Sequence, residues 1–294
     1  MESKSPDVGQ ESRSSETGSV RPEHLGWRTI LVTGGAIFVV LAIVMFETGN
    51  PNLYPTVVLV GSFLVPVVFV AYLFDHLHAT NLSFEAVTWA FVLGGILGIL
   101  GASILEPYLL PRLIGQSDTL TFGGGLVVAV IEEGSKLAAV MYVARRLQHD
   151  AARDGLLLGS AVGMGFAAFE STGYAFTVLF VTHGDVIASL EETILRALIS
   201  PFGHGIWTGI AAAALFAASP ARGWRFAPSV GLALALVVVL HGAWDGLRIG
   251  GDVSILGLPV SISLVAVSIV GIVAFALVYG VAERPGVVRN PSSG

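Results

Sequence analysis

The stretch VIEEGSKLAAV, residues 130–140, sets two adjacent glutamates and a lysine inside a run of valine, isoleucine, leucine and alanine. The flanking residues are apolar enough for a membrane helix, where each charge costs a few kcal/mol or more. Glu132, Glu133 and Lys136 would be kept there only if they are paired or put to use. Glu132 and Lys136 stand four residues apart and share a helix face, so an ion pair eases the burial of both. Glu133 points about 100° away and needs another partner.

The rest of the chain supports a membrane setting. Of 294 residues, 54 % are hydrophobic and 12 % charged, with a mean hydropathy of +0.79. Water-soluble domains carry about a quarter charged residues. The formal charge of −6 says little about partners. With no basic run and no interleaved aromatic pattern, nucleic acid is not an expected partner. The absence of cysteine rules out disulfides, thiolate metal sites, iron–sulfur clusters and a cysteine nucleophile.

Residues 1–26 are polar, rich in Ser, Glu and Gly, and are expected to be a disordered tail rather than a signal peptide. A span needs about 20 mainly apolar residues. Eight segments qualify, at 27–46, 54–74, 85–106, 120–143, 154–181, 191–218, 227–247 and 255–282. The expected fold is therefore all-α, a polytopic transmembrane helix bundle of about eight spans over residues 27–282. A short C-terminal tail, 283–294, follows. Assigning tails and alternate loops to one side gives roughly eleven Lys and Arg there against two opposite, Arg112 and Arg248. That bias predicts a multi-pass protein of the plasma (cytoplasmic) membrane with both termini cytoplasmic.

At about 1.5 Å per residue, Glu132, Glu170, His204 and His241 fall roughly 17–24 Å from the inner boundary, on four consecutive spans. Scattered structural polar groups have no reason to agree in depth. Span five repeats small residues every four positions, at Gly155, Gly159, Gly163, Ala167 and Ser171, a stripe for close helix contact. Glu170 lies on the stripe beside it. In span six, Pro201, Gly203 and Gly205 surround His204 and predict a kinked or opened helix, tolerated only in buried protein or beside a water-filled cavity. In span seven, His241 and Asp245 share a face, where Asp245 can fix the His241 tautomer or bind the same water or metal.

Hydrolysis of an amide in a membrane needs a captive water, a base and an oxyanion partner. The expected catalytic set is Glu132, Glu133, Glu170, His204, His241 and Asp245, with Glu132 activating the water. Two histidines and a carboxylate also make a zinc ligand set, here His204, His241 and Glu170, so metal-free and metal-bound water both fit. Lys136, Phe166 and Arg196 are supporting residues: an ion-pair partner, a packing ring, and a counter-ion or interfacial snorkeller. Trp207 is read as packing. Glu106, just before Pro107, is read as a solvated span end. Gly94, Gly95, Gly98 and Gly101 are read as helix contacts.

The set EEGSK (132–136), GMGFAAFE (163–170), His204 and HGAWD (241–245) resembles the PrsW family of intramembrane proteases over residues 120–250, and the Asp154–Gly155 pair also fits it. That family is grouped with type II CAAX prenyl endopeptidases, bacteriocin-processing membrane proteins and a non-catalytic γ-secretase subunit. The resemblance implies Glu132 as general base supported by Glu133, and Glu170 facing the water. It places His241 and Asp245 at the oxyanion. It also implies a membrane-protein substrate, such as an anti-sigma-factor-like single-pass protein cut at site 1. Many members follow the second-motif glutamate with Asn, where this chain has Ser171. Two other readings use the same residues. A proton-coupled transporter also places carboxylates and histidines at mid-depth but more often shows inverted repeats, and none is evident. A scaffold or immunity protein of the same fold would carry a decayed site.

Overall fold

The computed structural model describes residues 26–77, 82–114, 120–147, 152–219, 223–247, 249–255 and 258–283. The expectations for the two polar tails and for Arg248 fall outside the described residues. The chain runs through α1 (Trp27–Thr48) and α2 (Tyr54–His76), the latter entered by a 3₁₀ turn at Pro51–Leu53. A composite rod follows: α3 (Phe84–Trp89), a π-helical turn (Ala90–Gly94) and α4 (Gly95–Leu113). Then come α5 (Phe122–Ala144) and α6 (Ala152–Val181). A second composite rod joins α7 (Val186–Ile199) through a 3₁₀ turn (Ser200–Phe202) to α8 (His204–Ala218). Next are α9 (Pro228–Gly246), strands β1 (Asp252–Ile255) and β2 (Leu258–Ser261), and α10 (Ile262–Ala282).

Among the described residues, seven rods are long and apolar enough to cross a membrane, at 27–48, 51–76, 84–113, 152–181, 186–218, 228–246 and 262–282. α5 is the eighth long rod, 23 residues in length, and carries Glu132, Glu133 and Lys136 at its centre. The protein is thus an all-helical, multi-span membrane protein in which the expected spans fall on observed rods. α1 and α10 present exposed Ile37, Val40, Ile269 and Leu277, an outer surface suited to hydrocarbon rather than water.

α6 is buried on every side from Asp154 to Ala168 and forms the hub of the bundle. Its small-residue stripe meets α8 as the spacing predicted. A Cβ at Gly159 would lie 2.5 Å from the Thr208 carbonyl oxygen, and one at Gly163 would strike the His204 carbonyl oxygen. On the other face of α6, a Cβ at Gly95 would stand 2.5 Å from the backbone of Gly165, so the span-three glycines are helix contacts. These two crossings hold α4 and α8 against the same segment of α6, and with them their polar side chains.

The break in span six is real and sharp. α7 ends at Ile199, Pro201 sits in the 3₁₀ turn, and α8 restarts at His204 after Gly203 at φ −116°, ψ −107°. Two features differ from expectation. α4 continues through Pro107 and Pro111 to Leu113, so Glu106 lies inside a helix and not at its end. The last span starts at Ile262, because β1 and β2 form an antiparallel hairpin where helix was expected from 255. Gly250 and Gly251 turn the chain with φ of 87° and 75°. Pro259, lacking an N–H, would break a helix begun upstream.

Candidate active site

Three rods place four key side chains. α5 carries Glu132 and Glu133 one residue apart, α8 begins with His204, and His241 stands one turn before the end of α9. α6 brings Glu170 to the same point, and Asp245 follows His241 by one turn. The structure brings all six sequence-predicted residues into one cluster, together with Lys136, Phe166 and Arg196.

Lys136 lies at the cluster's base, fully buried. An ammonium has three N–H donors. Lys136 Nζ gives them to Glu132 Oε2 at 2.9 Å, Glu133 Oε1 at 2.9 Å and His204 Nδ1 at 2.8 Å. It also stands 3.9 Å over the Phe166 ring, so that ring caps the charge as well as packing. The partner that Glu133 needed is thus Lys136, with two more. Thr208 donates to Glu133 Oε2 at 3.0 Å, and His241 Nδ1 lies 3.1 Å from Glu133 Oε1.

Those contacts separate the adjacent glutamates. Glu133 is 1 % exposed and wholly engaged, whereas Glu132 reaches the cavity. They also set the imidazoles. His241 Nδ1–H donates to Glu133 Oε1, and Nε2 faces two carboxylate oxygens, Glu132 Oε2 at 3.6 Å and Asp245 Oδ2 at 3.5 Å, a face that calls for a proton or a cation between them. Glu133 thus holds the Nδ1 side of the ring, while Asp245 faces Nε2. Trp207 stacks on the same ring at 4.6 Å and fixes its plane. His204 accepts from Lys136 at Nδ1, so its own proton sits on Nε2, 3.2 Å from Glu170 Oε2.

Arg196 is the counter-ion of Glu170. Its Nη2 donates to Glu170 Oε2 at 2.6 Å, its guanidinium lies 3.9 Å over Tyr174, and its Nε reaches Ser171 Oγ at 3.4 Å. Ser171 thus helps to seat this arginine.

A cavity of about 850 Å³ opens over the cluster. Glu132, Glu170, His204, His241 and Asp245 form its floor, with Trp244 and Arg196 beside them. Glu106 on α4 lines it too, as do Asp252, Val260 and Ser261 of the hairpin. These are residues that the sequence reading missed. Glu106 was detectable only by extending α4 past Pro107, and the hairpin carries no span-length signal.

Glu132, His204 and His241 each offer a ligand atom within 4.8 Å of the others, all three buried. The compact group takes Glu132 as its carboxylate where Glu170 was expected, and Glu170 is instead paired with Arg196 through Oε2. The donor set fits a divalent ion such as zinc, and His241 is tied behind by the buried Glu133 carboxylate at Nδ1, the usual support for an imidazole ligand. Ligation through His204 Nε2 requires the ring proton on Nδ1, which means that Lys136 must release that nitrogen.

Comparison with protein families gives a match over residues 83–278 to the family described as PrsW family intramembrane metalloprotease. The matched region runs from α3 into α10 and contains every residue of the cluster. Neither the curated proteins nor the solved structures give a match.

Proposed function

We propose, for a chain that belongs to the PrsW family of intramembrane metalloproteases, that the cavity over Glu132 cuts a peptide bond of a membrane-bound protein. The membership makes the protein a peptidase with a protein substrate. The observation that supports the site is the buried group of Glu132, His204 and His241, drawn from three helices into one cavity. Those three would hold a divalent ion, and when bound it would supply Lewis acidity to polarise the scissile carbonyl.

The remaining chemistry belongs to the chain. The Arg196 and His204 contacts of Glu170 both fall on Oε2, which leaves Oε1 as the oxygen that takes a proton from the attacking water. Glu170 then returns that proton to the leaving amine. Arg196 holds the carboxylate in place between the two transfers. Glu133 and Lys136 are positioning residues: they touch the histidines and Glu132 but do not reach the cavity.

The substrate class is a single-pass regulatory protein of the anti-sigma-factor type, and the support is the resemblance of the motifs together with their depth. The Lys and Arg bias supports cytoplasmic termini and a plasma-membrane location. New protein termini in membranes of cells expressing the native chain, against cells expressing Glu132→Gln, test the proposal. Termini that vanish with Glu132→Gln, while the variant remains folded and abundant, are expected. Identical termini in both membranes would overturn it.

A further inference from the structure

We propose that the outer edge of β1 is the docking rail for substrate, which joins the hairpin as an added strand before it is cut. The inference rests on the proteolytic reading of the cavity and adds how the substrate is held. A peptide bond in a transmembrane helix is already hydrogen-bonded to its own helix and cannot be attacked until that stretch unwinds. Unwound N–H and C=O groups at membrane depth cost several kcal/mol each unless something pairs with them. An open strand edge beside the cavity meets that need.

The hairpin register decides which edge is open. Ile262 N donates to Gly251 O at 3.0 Å, so that pair is hydrogen-bonded. Alternation then makes Val253↔Val260 hydrogen-bonded and Asp252↔Ser261 and Ser254↔Pro259 not. Pro259, which has no N–H, independently requires the same phase. The backbone groups of Asp252 and Ser254 therefore point outward from β1, and those of Pro259 and Ser261 outward from β2. β2's outer edge is blunted by Pro259 and continues directly into α10. On β1, Asp252, Val253 and Ser254 are exposed, and among the described residues no hydrogen bond engages the outward groups of Asp252 or Ser254. Asp252 lines the cavity whose floor is Glu132, so a strand on this edge runs into the site.

The chain has no cysteine, so Val253→Cys supplies a single thiol. The full chain carrying Val253→Cys and Glu132→Gln is placed in phospholipid nanodiscs with a synthetic single-pass peptide. The peptide has a Leu-Ala membrane segment followed by a Val-Thr segment, and one cysteine is moved along the latter position by position. Strand addition predicts mixed-disulfide yields that alternate with a period of two, because Val253 faces its partner in the close, non-hydrogen-bonded geometry. A flat profile, a helical period near 3.6, no adduct, or a disulfide between two copies of the chain overturns the proposal. Cleavage of the same peptide by the chain with Glu132 intact is read separately. Cleavage without alternation defeats the docking rail and leaves the protease. Alternation without cleavage defeats the protease and leaves the rail. Ser254→Pro removes an outward N–H without touching the hairpin ladder and should lower kcat/KM for this peptide about tenfold, the effect of one lost hydrogen bond, mainly through KM. An unchanged KM counts against it.

Discussion

Lys136 keeps a charge in the middle of a membrane helix because three acceptors and an aromatic face surround it. Removing one partner of such a buried network leaves the others uncompensated, so Lys136→Met should destabilise the protein by about 3–5 kcal/mol. Thermal unfolding in nanodiscs measures this, and combining the change with Glu133→Gln should recover part of the loss. Arg196 is a different case, since its side chain is 21 % exposed and its task is to hold Glu170. Arg196→Gln should lower kcat by about ten- to a hundredfold, the worth of a charge-assisted hydrogen bond, while the unfolding temperature barely moves. Steady-state kinetics on any cleaved peptide checks it. At this scale the sequence revealed which residues matter but not their division of labour. Glu132 and Glu133 are chemically identical neighbours, and only the positions of Thr208 and His241 on other helices turn Glu133 inward.

The helices act by where they stop and where they touch. Pro201 and the Gly203 turn end α7 so that His204 begins α8 with its imidazole at the cavity floor. Pro201→Ala would let one helix run through, rotating His204 away from Glu170, and should abolish cleavage with little change in stability. Activity and melting measured on the same preparation separate the two effects. The α6–α8 crossing sets the height of that imidazole. A side chain at Gly163 collides with the His204 carbonyl oxygen, so Gly163→Val should cost about 1–3 kcal/mol as an overpacked contact and remove activity as well. Both features were legible, because a proline between glycines and a four-residue small repeat have few physical meanings in a membrane helix. The hairpin was not legible. Each strand has four residues, and Leu258 and Val260 read as the start of an apolar span unless Pro259 is weighed more heavily.

Across the whole molecule, an apolar exterior surrounds a bundle whose polar residues converge on one cavity, and that segregation is why a single sequence disclosed so much. Charges are expensive in hydrocarbon, so Glu132, Glu170, His204 and His241 announce themselves wherever they occur in a span. Their mutual geometry was open at that stage, and with it the choice of carboxylate for a metal group, since the Arg196 bond to Glu170 joins two helices 26 residues apart in sequence. The central claim is that Glu132, His204 and His241 hold the metal of a membrane peptidase while Glu170 moves the proton. Metal content of purified protein, by elemental mass spectrometry, tests this most directly. One divalent ion per chain is predicted for the native protein and for Glu170→Gln, and none for Glu132→Gln, His204→Ala or His241→Ala. A native protein without metal after growth and purification in zinc-supplemented medium, or an ion retained by all three variants, would contradict the account.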